Sequence, residues 1–272
     1  MSDFINTIDE MGESEFAKAF FARTLTEFKD DVLVAIGPSR FRGFPELSYV
    51  ELPNCVAISS YAFYGCTKLS SISLPWASSY RNSYSDYAFY NTGVSNLDFL
   101  PSRVSYLGTG WFGYCGNLTR AEGTQFTSIG YNVFAGCHSL KVVNFPNLSS
   151  CGNYVFNNCD ALEEVSLPAL GAIVQYMFQS CSSLKKIHLS PNISTISGYA
   201  FSGCRDLHTV YIGSTSCSLA NSSVFYSTKI TFATGSIYVP SSRVDYYRGS
   251  TNWNWFSTQI KGYDYENDRP VD

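Results

Sequence analysis

The sequence predicts an α/β, strand-dominated solenoid, and three features of one internal repeat carry that prediction. The repeat reads Phe-x-x-Cys-x-x-Leu-x-x-(Val/Ile)-x-(Leu/Phe/Ile) and its period is about 22 to 24 residues, too short for an independent domain. Each copy ends in alternating apolar residues, the pattern of a short strand. Close copies open at Phe63, Phe134, Phe156, Phe178 and Phe201, and looser copies open at Phe41, Phe89, Phe112 and Phe225.

The N-terminal residues predict a lid for the first coil. A terminal coil exposes its apolar flank and needs closure. Ser14 can cap a short helix that carries Phe16, Phe20 and Phe21, so we predict a helical cap over residues 1–24. Directly afterwards, Leu25 to Ile36 has the spacing of a degenerate first coil.

Within a coil, the strand and the turn are both readable. Val165 and Leu167 point inward while Glu164 and Ser166 point outward, because side chains alternate along a strand. Pro168 then ends the strand, since proline has no N–H to donate to a parallel ladder. The repeat phenylalanine and cysteine follow in a turn. We predict one continuous domain with the solenoid over 25–240 and a C-terminal cap over 241–272.

Composition and charge restrict the partners. Apolar residues make up 45% of the 272 residues and charged residues 15%, with a net charge of −4, so the chain is ordered and lacks a broad basic surface. Nucleic acid is therefore not expected as a partner. Residues 1–11 carry acids and no apolar run, unlike a secretory leader. No stretch reaches the roughly 20 apolar residues that span a bilayer, so membrane insertion is not expected. We expect cytoplasmic synthesis, with surface or phage-particle localisation by a leaderless route left open.

All nine cysteines fall in positions that other coils fill with apolar residues. Six follow the repeat phenylalanine by three residues, and the other three precede one. Reduced, buried thiols are the favoured interpretation, since free cysteine behaves as a small hydrophobe. The rival is a disulfide ladder, because equivalent Cα atoms in stacked coils lie about 4.8 Å apart.

Catalytic, metal and cofactor sites are not indicated. The chain has no Cys-x-x-Cys, and only His138, His188 and His208 could supply imidazole. His188 and His208 occupy different offsets of adjacent coils, and the neighbouring Glu163 and Glu164 point to opposite faces of a strand. No phosphate-binding glycine loop is present. We therefore predict a non-enzymatic protein without a cofactor.

The repeat spelling resembles the BspA-like leucine-rich repeat family. The resemblance is carried by Ile129-Gly-Tyr-Asn-Val-Phe134-Ala-Gly-Cys137-His-Ser-Leu140 and again by Ile196-Ser-Gly-Tyr-Ala-Phe201-Ser-Gly-Cys204, and it covers residue 25 to the end. It implies a right-handed horseshoe whose parallel sheet lies on the concave side. It also implies adhesion to host or bacterial surfaces.

Stacking the strands lines up two columns of outward side chains, and we call the surface that bears them the sheet face. A solvated surface and a binding site are equally compatible with its mixed acid, amide and hydroxyl groups. Because these side chains point outward, replacing Lys186 or Tyr211 by alanine is expected to leave melting nearly unchanged. The candidate ligand-binding residues of the sheet face are Tyr49, Glu51, Asn96, Asp98, Arg120, Glu122, Asn144, Glu164, Lys186, His188 and Tyr211.

An insertion of about four residues between Pro75 and Phe89 forms a tyrosine-rich segment. Its Trp76, Tyr80 and Tyr84 are further candidates for ligand contact, since tyrosine is favoured at recognition surfaces. A surface insertion without a role is the favoured interpretation, because loops tolerate insertion.

Two functions are compatible with these observations. The first is a recognition and adhesion module for a protein or glycan ligand, acting through the sheet face and the tyrosine-rich segment. The second is a structural or receptor-binding component of a prophage tail or baseplate. It rests on the segment 19–28, which resembles the start of leaderless BspA-like proteins in prophage regions. Ligand identity and oligomeric state stay open.

Overall fold

The structure is a computed structural model that describes residues 22–73 and 85–271. Its strands, in chain order, are β1 Glu27–Lys29, β2 Ala35–Ile36, β3 Tyr49–Glu51, β4 Ala57–Ile58, β5 Ser71–Ser73, β6 Tyr106–Leu107, β7 Arg120–Glu122, β8 Ser128–Ile129, β9 Val142–Asn144, β10 Ser150–Cys151, β11 Glu164–Ser166, β12 Ala172–Ile173, β13 Lys186–Leu189, β14 Thr195–Ile196, β15 Thr209–Ile212, β16 Ser218–Leu219, β17 Ser236–Pro240, β18 Ile260–Asp264 and β19 Arg269–Val271. The predicted strand-dominated solenoid is thereby confirmed.

The strands form two rows that run along the stack of coils. One row comprises the sheets β1-β3-β5, β7-β9-β11 and β13-β15-β17-β18-β19, and the other comprises β2-β4, β6-β8-β10 and β12-β14-β16. All pairs are parallel except β18 with β19, because each coil brings the chain back in the same direction. The first row carries the sheet face.

The degenerate first coil is confirmed. Its Phe28 is buried in β1 and pairs in register with Val50 of β3, while Ile36 of β2 pairs with Ile58 of β4. The predicted helix-capping Ser14 and the phenylalanines 16, 20 and 21 lie outside the described residues, as do Trp76, Tyr80 and Tyr84 of the insertion.

A column of stacked phenylalanine rings fills the core beside the turns. The repeat rings from Phe41 to Phe225 lie with centroids 5.3 to 5.9 Å apart and planes within 13° of parallel. Burial of one large ring per coil supplies much of the apolar area that holds neighbouring coils together.

The turn around each repeat phenylalanine uses left-handed backbone conformations. In the coil of Phe63, for example, Tyr61 has φ 61° two residues before the ring and Gly65 has φ 76° two residues after it. Glycine also admits a ring from the preceding coil: a Cβ on Gly110 would collide with the Tyr87 ring. These turns therefore stack as closely as the strands do.

The cysteine side chains hydrogen-bond as well as pack, which the repeat pattern did not predict. The thiol of Cys159 donates to the carbonyl of Phe134 (3.2 Å) in the preceding coil, and that of Cys181 donates to Phe156 (3.1 Å). Cys66, Cys115, Cys137 and Cys204 make equivalent bonds. All nine thiols are free, and all are buried except the half-buried Cys151. Burial raises the pKa of Cys66 to about 12, so this thiol stays protonated at neutral pH.

The predicted strand at Asn96 to Asp98 is wrong, since these residues lie outside every strand. Here the Asp98 N–H donates to Asn96 Oδ1 (3.0 Å) instead of to a neighbouring coil. An asparagine side chain that captures the backbone two residues on competes with a strand ladder. The gap separates the sheet that ends at β5 from the sheet that begins at β7.

The C-terminal residues continue the first row of strands and cover its last coil. Helix α1 (Val244–Gly249) and the 3-10 helix Trp253–Phe256 connect β17 to β18. Trp253 Nε1 donates to the Cys217 carbonyl (2.7 Å), and the Tyr247 hydroxyl donates to the Ser214 carbonyl (2.8 Å).

The division into a cap, a solenoid and a second cap stays a prediction. In the described part of the chain, no helix has the length and apolarity needed to cross a bilayer.

Candidate ligand-binding surface on the sheet face

Within each sheet, the strand registers align the candidate residues in columns. His188 lies beside Tyr211, Tyr211 beside Tyr238, and Tyr238 beside Lys261 in the ladder from β13 to β18. We call the end that bears these four residues and Lys186 the aromatic half. The other end, with Lys29, Tyr49, Glu51, Asn96, Asp98, Arg120 and Glu122, is the polar half.

In the polar half, the side chains of Tyr49 and Glu51 are hydrogen-bonded to one another. The Tyr49 hydroxyl donates to Glu51 Oε2 (2.9 Å), which raises the pKa of this tyrosine. Lys29 of the preceding coil lies 3.6 Å from the same carboxylate oxygen and 4.8 Å from the Tyr49 ring centroid. These groups are exposed or half-buried, and each has a partner within the protein.

Arg120 and Glu122 form a second internal pair. Arg120 Nε and Nη2 donate to the two carboxylate oxygens of Glu122 at 2.8 and 2.9 Å, a bidentate arrangement. Asn96 and Asp98 lie next to this pair, and the four residues line a polar cavity of about 290 Å³ at the gap in the sheet. The structure thus brings these predicted site residues together, although not on one strand. Asn144 and Glu164 lie exposed between the two halves.

The aromatic half carries a stack of rings. The centroids of His188 and Tyr211 lie 4.1 Å apart with planes 11° from parallel, and Tyr211 and Tyr238 lie 5.1 Å apart at 15°. The buried ring of Tyr263 meets Tyr211 and Tyr238 edge-on at 5.1 and 5.5 Å. This packing makes the half-buried Tyr211 part of a cluster, which contradicts the expectation of a freely exposed side chain.

Three rings of this cluster were not among the predicted site residues. Tyr238 lies within the predicted solenoid, and Ile237 and Val239 alternate with it as in other strands, so the periodicity was sufficient to find it. Tyr263 and Tyr265 have no such signal, because they follow a helical connection that breaks the repeat. Tyr265 donates its hydroxyl proton to the Tyr238 carbonyl (3.2 Å) and so reaches back over the strand.

A groove of about 400 Å³ lies at the open end of the ring stack. We call it the apolar groove, because Leu167, Pro168, Leu189 and Pro191 form most of its wall. His188 and Tyr265 contribute the polar atoms at its rim, together with serine hydroxyls. Apolar walls with a few polar groups are typical of ligand-binding clefts.

The electrostatics of the ring stack favour uncharged side chains at neutral pH. Burial lowers the pKa of His188, and the charge of Lys186 lowers it further while Asp268 opposes the shift. Burial raises the pKa of Tyr211. The hydrogen bond from the Tyr263 hydroxyl to Asp268 Oδ1 (2.7 Å) contributes most to a pKa of about 12 for Tyr263. The stack therefore presents neutral donors and acceptors to a partner.

The three imidazoles occupy unrelated places. His138 Nδ1 lies 2.8 Å from Asp160 Oδ2 on the surface, and His208 Nδ1 lies 2.7 Å from Thr209 Oγ1. His188 belongs to the ring stack. Over residues 22–73 and 85–271, no three His, Cys, Asp or Glu side chains are grouped closely enough to hold a metal ion.

Sequence comparison agrees with the repeat and the strand ladder. The family model for the BspA-type leucine-rich repeat region matches six copies over residues 34–125 and 122–231. The chain belongs to the BspA-type leucine-rich repeat family. The predicted family is thereby confirmed. A search of curated protein sequences finds no significant match.

Similar solved structures come from several bacteria. A leucine-rich cell surface protein of Faecalibacterium prausnitzii is 18% identical, with 86% of this chain and 91% of that chain covered and a TM-score of 0.36. A leucine-rich repeat protein of Eubacterium ventriosum is 17% identical, with 76% and 77% covered and a TM-score of 0.43. The pneumococcal vaccine antigen PcpA is 14% identical, with 87% and 66% covered and a TM-score of 0.41.

Proposed function

We propose that this chain is a non-enzymatic recognition module that binds a protein or glycan partner through the aromatic half of its sheet face. The observation that carries the proposal is the ring stack of His188, Tyr211 and Tyr238 at the end of the apolar groove. Tyrosine side chains held by their neighbours lose little conformational entropy on binding, which makes them effective contact residues.

Family membership supports this proposal, because solenoids offer extended concave surfaces to their partners. The groove adds an apolar recess into which one group of a partner can insert, surrounded by polar atoms at the rim. Adhesion to a host or bacterial surface is the biological role that fits a rigid surface of this kind. The stacked rings also explain how the surface stays rigid without a ligand.

The test starts from arrays of glycans and of bacterial and host surface proteins probed with the purified chain. Each hit is then measured in solution with Tyr211→Ala and His188→Ala, and with Tyr49→Ala and Arg120→Gln as matched controls in the polar half. We expect the first pair to weaken binding about tenfold or more, and the controls to change it less than about threefold.

Hits that keep full affinity in both aromatic variants would overturn the proposal. In that case, contacts on the capped ends or the opposite face would favour the second hypothesis, in which the chain is a component of a prophage tail or baseplate. Circular dichroism of each variant shows whether a loss of binding reflects loss of folding.

A further inference from the structure

A second cavity lies beside the aromatic half, and its chemistry differs from that of the apolar groove. Its volume is about 430 Å³, and its lining includes Tyr238, Ser241, Arg248, Lys261 and Pro270. We call it the basic cavity, because Arg248 and Lys261 are the charged groups that line it among residues 22–73 and 85–271, and no carboxylate of that part of the chain does.

Arg248 is held in place by the backbone. Its Nη2 donates to the Ile260 carbonyl (2.8 Å), which fixes the guanidinium in the cavity that Lys261 also lines. An anchored guanidinium presents its remaining N–H groups in one plane, the geometry that receives a carboxylate. Ser241 adds a hydroxyl at the same wall.

Nearby acids are engaged elsewhere. Asp268 accepts the hydroxyl proton of Tyr263, and Asp264 accepts hydrogen bonds from the backbone and side chain of Asn267. Across the described ranges 22–73 and 85–271, neither Arg248 nor Lys261 forms an ion pair with a carboxylate. The positive charge of the basic cavity is therefore available to a ligand.

We infer that the basic cavity binds an acidic sugar of the hexuronic acid class. The carboxylate would lie against Arg248 and Lys261, a sugar hydroxyl would meet Ser241, and the ring would pack on Tyr238 and Pro270. A cavity of about 430 Å³ has room for a monosaccharide and exceeds what a bare anion fills. An extended acidic peptide fits less well, since Pro270 in the edge strand β19 has no N–H for strand pairing.

This site goes beyond the proposed function, because it does not depend on what the ring stack binds. The experiment uses the full chain and glucuronic acid as the probe, with binding followed by NMR chemical-shift changes and calorimetry. Glucose, acetate and N-acetylglutamate serve as the neutral, simple-anion and acidic-peptide comparisons. We expect saturable glucuronate binding at least about tenfold tighter than for any of the three, and weaker binding at higher salt.

Arg248→Gln and Lys261→Gln should each weaken glucuronate binding about tenfold. Lys185→Gln, an exposed cation outside the cavity, should leave it unchanged. Lys261→Gln removes no side-chain hydrogen bond in the structure, so it stays informative if Arg248→Gln disturbs folding. Equal affinity for acetate would overturn the inference in favour of a simple anion site. Tighter binding of N-acetylglutamate, or indifference to both substitutions, would overturn it as well.

Discussion

The polar and aromatic halves of the sheet face lie on the same row of strands, but their side chains interact in different directions. In the polar half, partners lie two residues apart on the same strand, as in Arg120 with Glu122 and Tyr49 with Glu51. In the aromatic half, His188, Tyr211 and Tyr238 pack between neighbouring coils. Pairs within a strand neutralise a surface locally, whereas stacks across coils build a rigid surface that can bind a partner.

The largest expected effect separates the inward from the outward side of the ladder. Ile187→Ala should lower the free energy of unfolding by about 2–5 kcal/mol, because Ile187 is 3% exposed and its removal opens a cavity. The equivalent inward residue of the polar half is Ala121, so the reverse change Ala121→Ile should cost about 1–3 kcal/mol by overpacking. Denaturant titration measures both. The outward Lys186→Ala is the control, and an equal loss there would contradict the assignment of faces.

The second prediction compares the tyrosines of the two halves. Tyr211→Ala removes a ring that contacts His188, Tyr238 and Tyr263, and should cost about 1–2 kcal/mol of stability. The outward position of Tyr211 on its strand had suggested that Tyr211→Ala would leave the melting temperature nearly unchanged. The ring contacts replace that expectation. Tyr49→Ala removes a ring whose contacts are polar and should cost less than about 1 kcal/mol. Equal losses in thermal unfolding would show that stacking across coils adds nothing.

The third prediction concerns the ion pair of the polar half. Arg120→Gln should change stability by less than about 1 kcal/mol, because both partners are exposed, with side chains 56% and 36% accessible. The difference from the unchanged chain should shrink in 1 M salt, which screens exposed charges. A loss that exceeds this range and persists in salt would mean that the pair organises the gap in the sheet.

The smallest effect is a titration. The pKa of His188 lies below its ordinary value of 6.5 through burial and the charge of Lys186. The unfolded chain therefore binds the proton more readily, so stability rises with pH between the folded pKa and 6.5 and falls as the pH drops through that window. NMR of the imidazole should show a midpoint below 6.5 that Lys186→Gln raises. Lys185→Gln is the matched control, and an unchanged midpoint in Lys186→Gln would leave burial as the whole cause.

Local periodicity by itself determined the stack of coils, the inward positions such as Ile187, and the column that leads from His188 to Tyr211. These follow from side-chain alternation and a constant repeat length, which are properties of the chain alone. The same pattern failed at Asn96 to Asp98, where a side chain captures the backbone and ends the ladder.

Only the tertiary structure decided which surface groups meet. It placed Tyr263 against Tyr211, turned the cysteine thiols toward carbonyls of the preceding coil, and brought Arg248 and Lys261 to the wall of one cavity. Tyr263 and the pair Arg248 and Lys261 lie in the segment after the repeat, so the repeat pattern says nothing about them. The thiol hydrogen bonds depend on how closely neighbouring coils approach. A repeat specifies what each position of a coil does. It does not specify the distances between side chains of different coils, because those depend on packing across the whole stack.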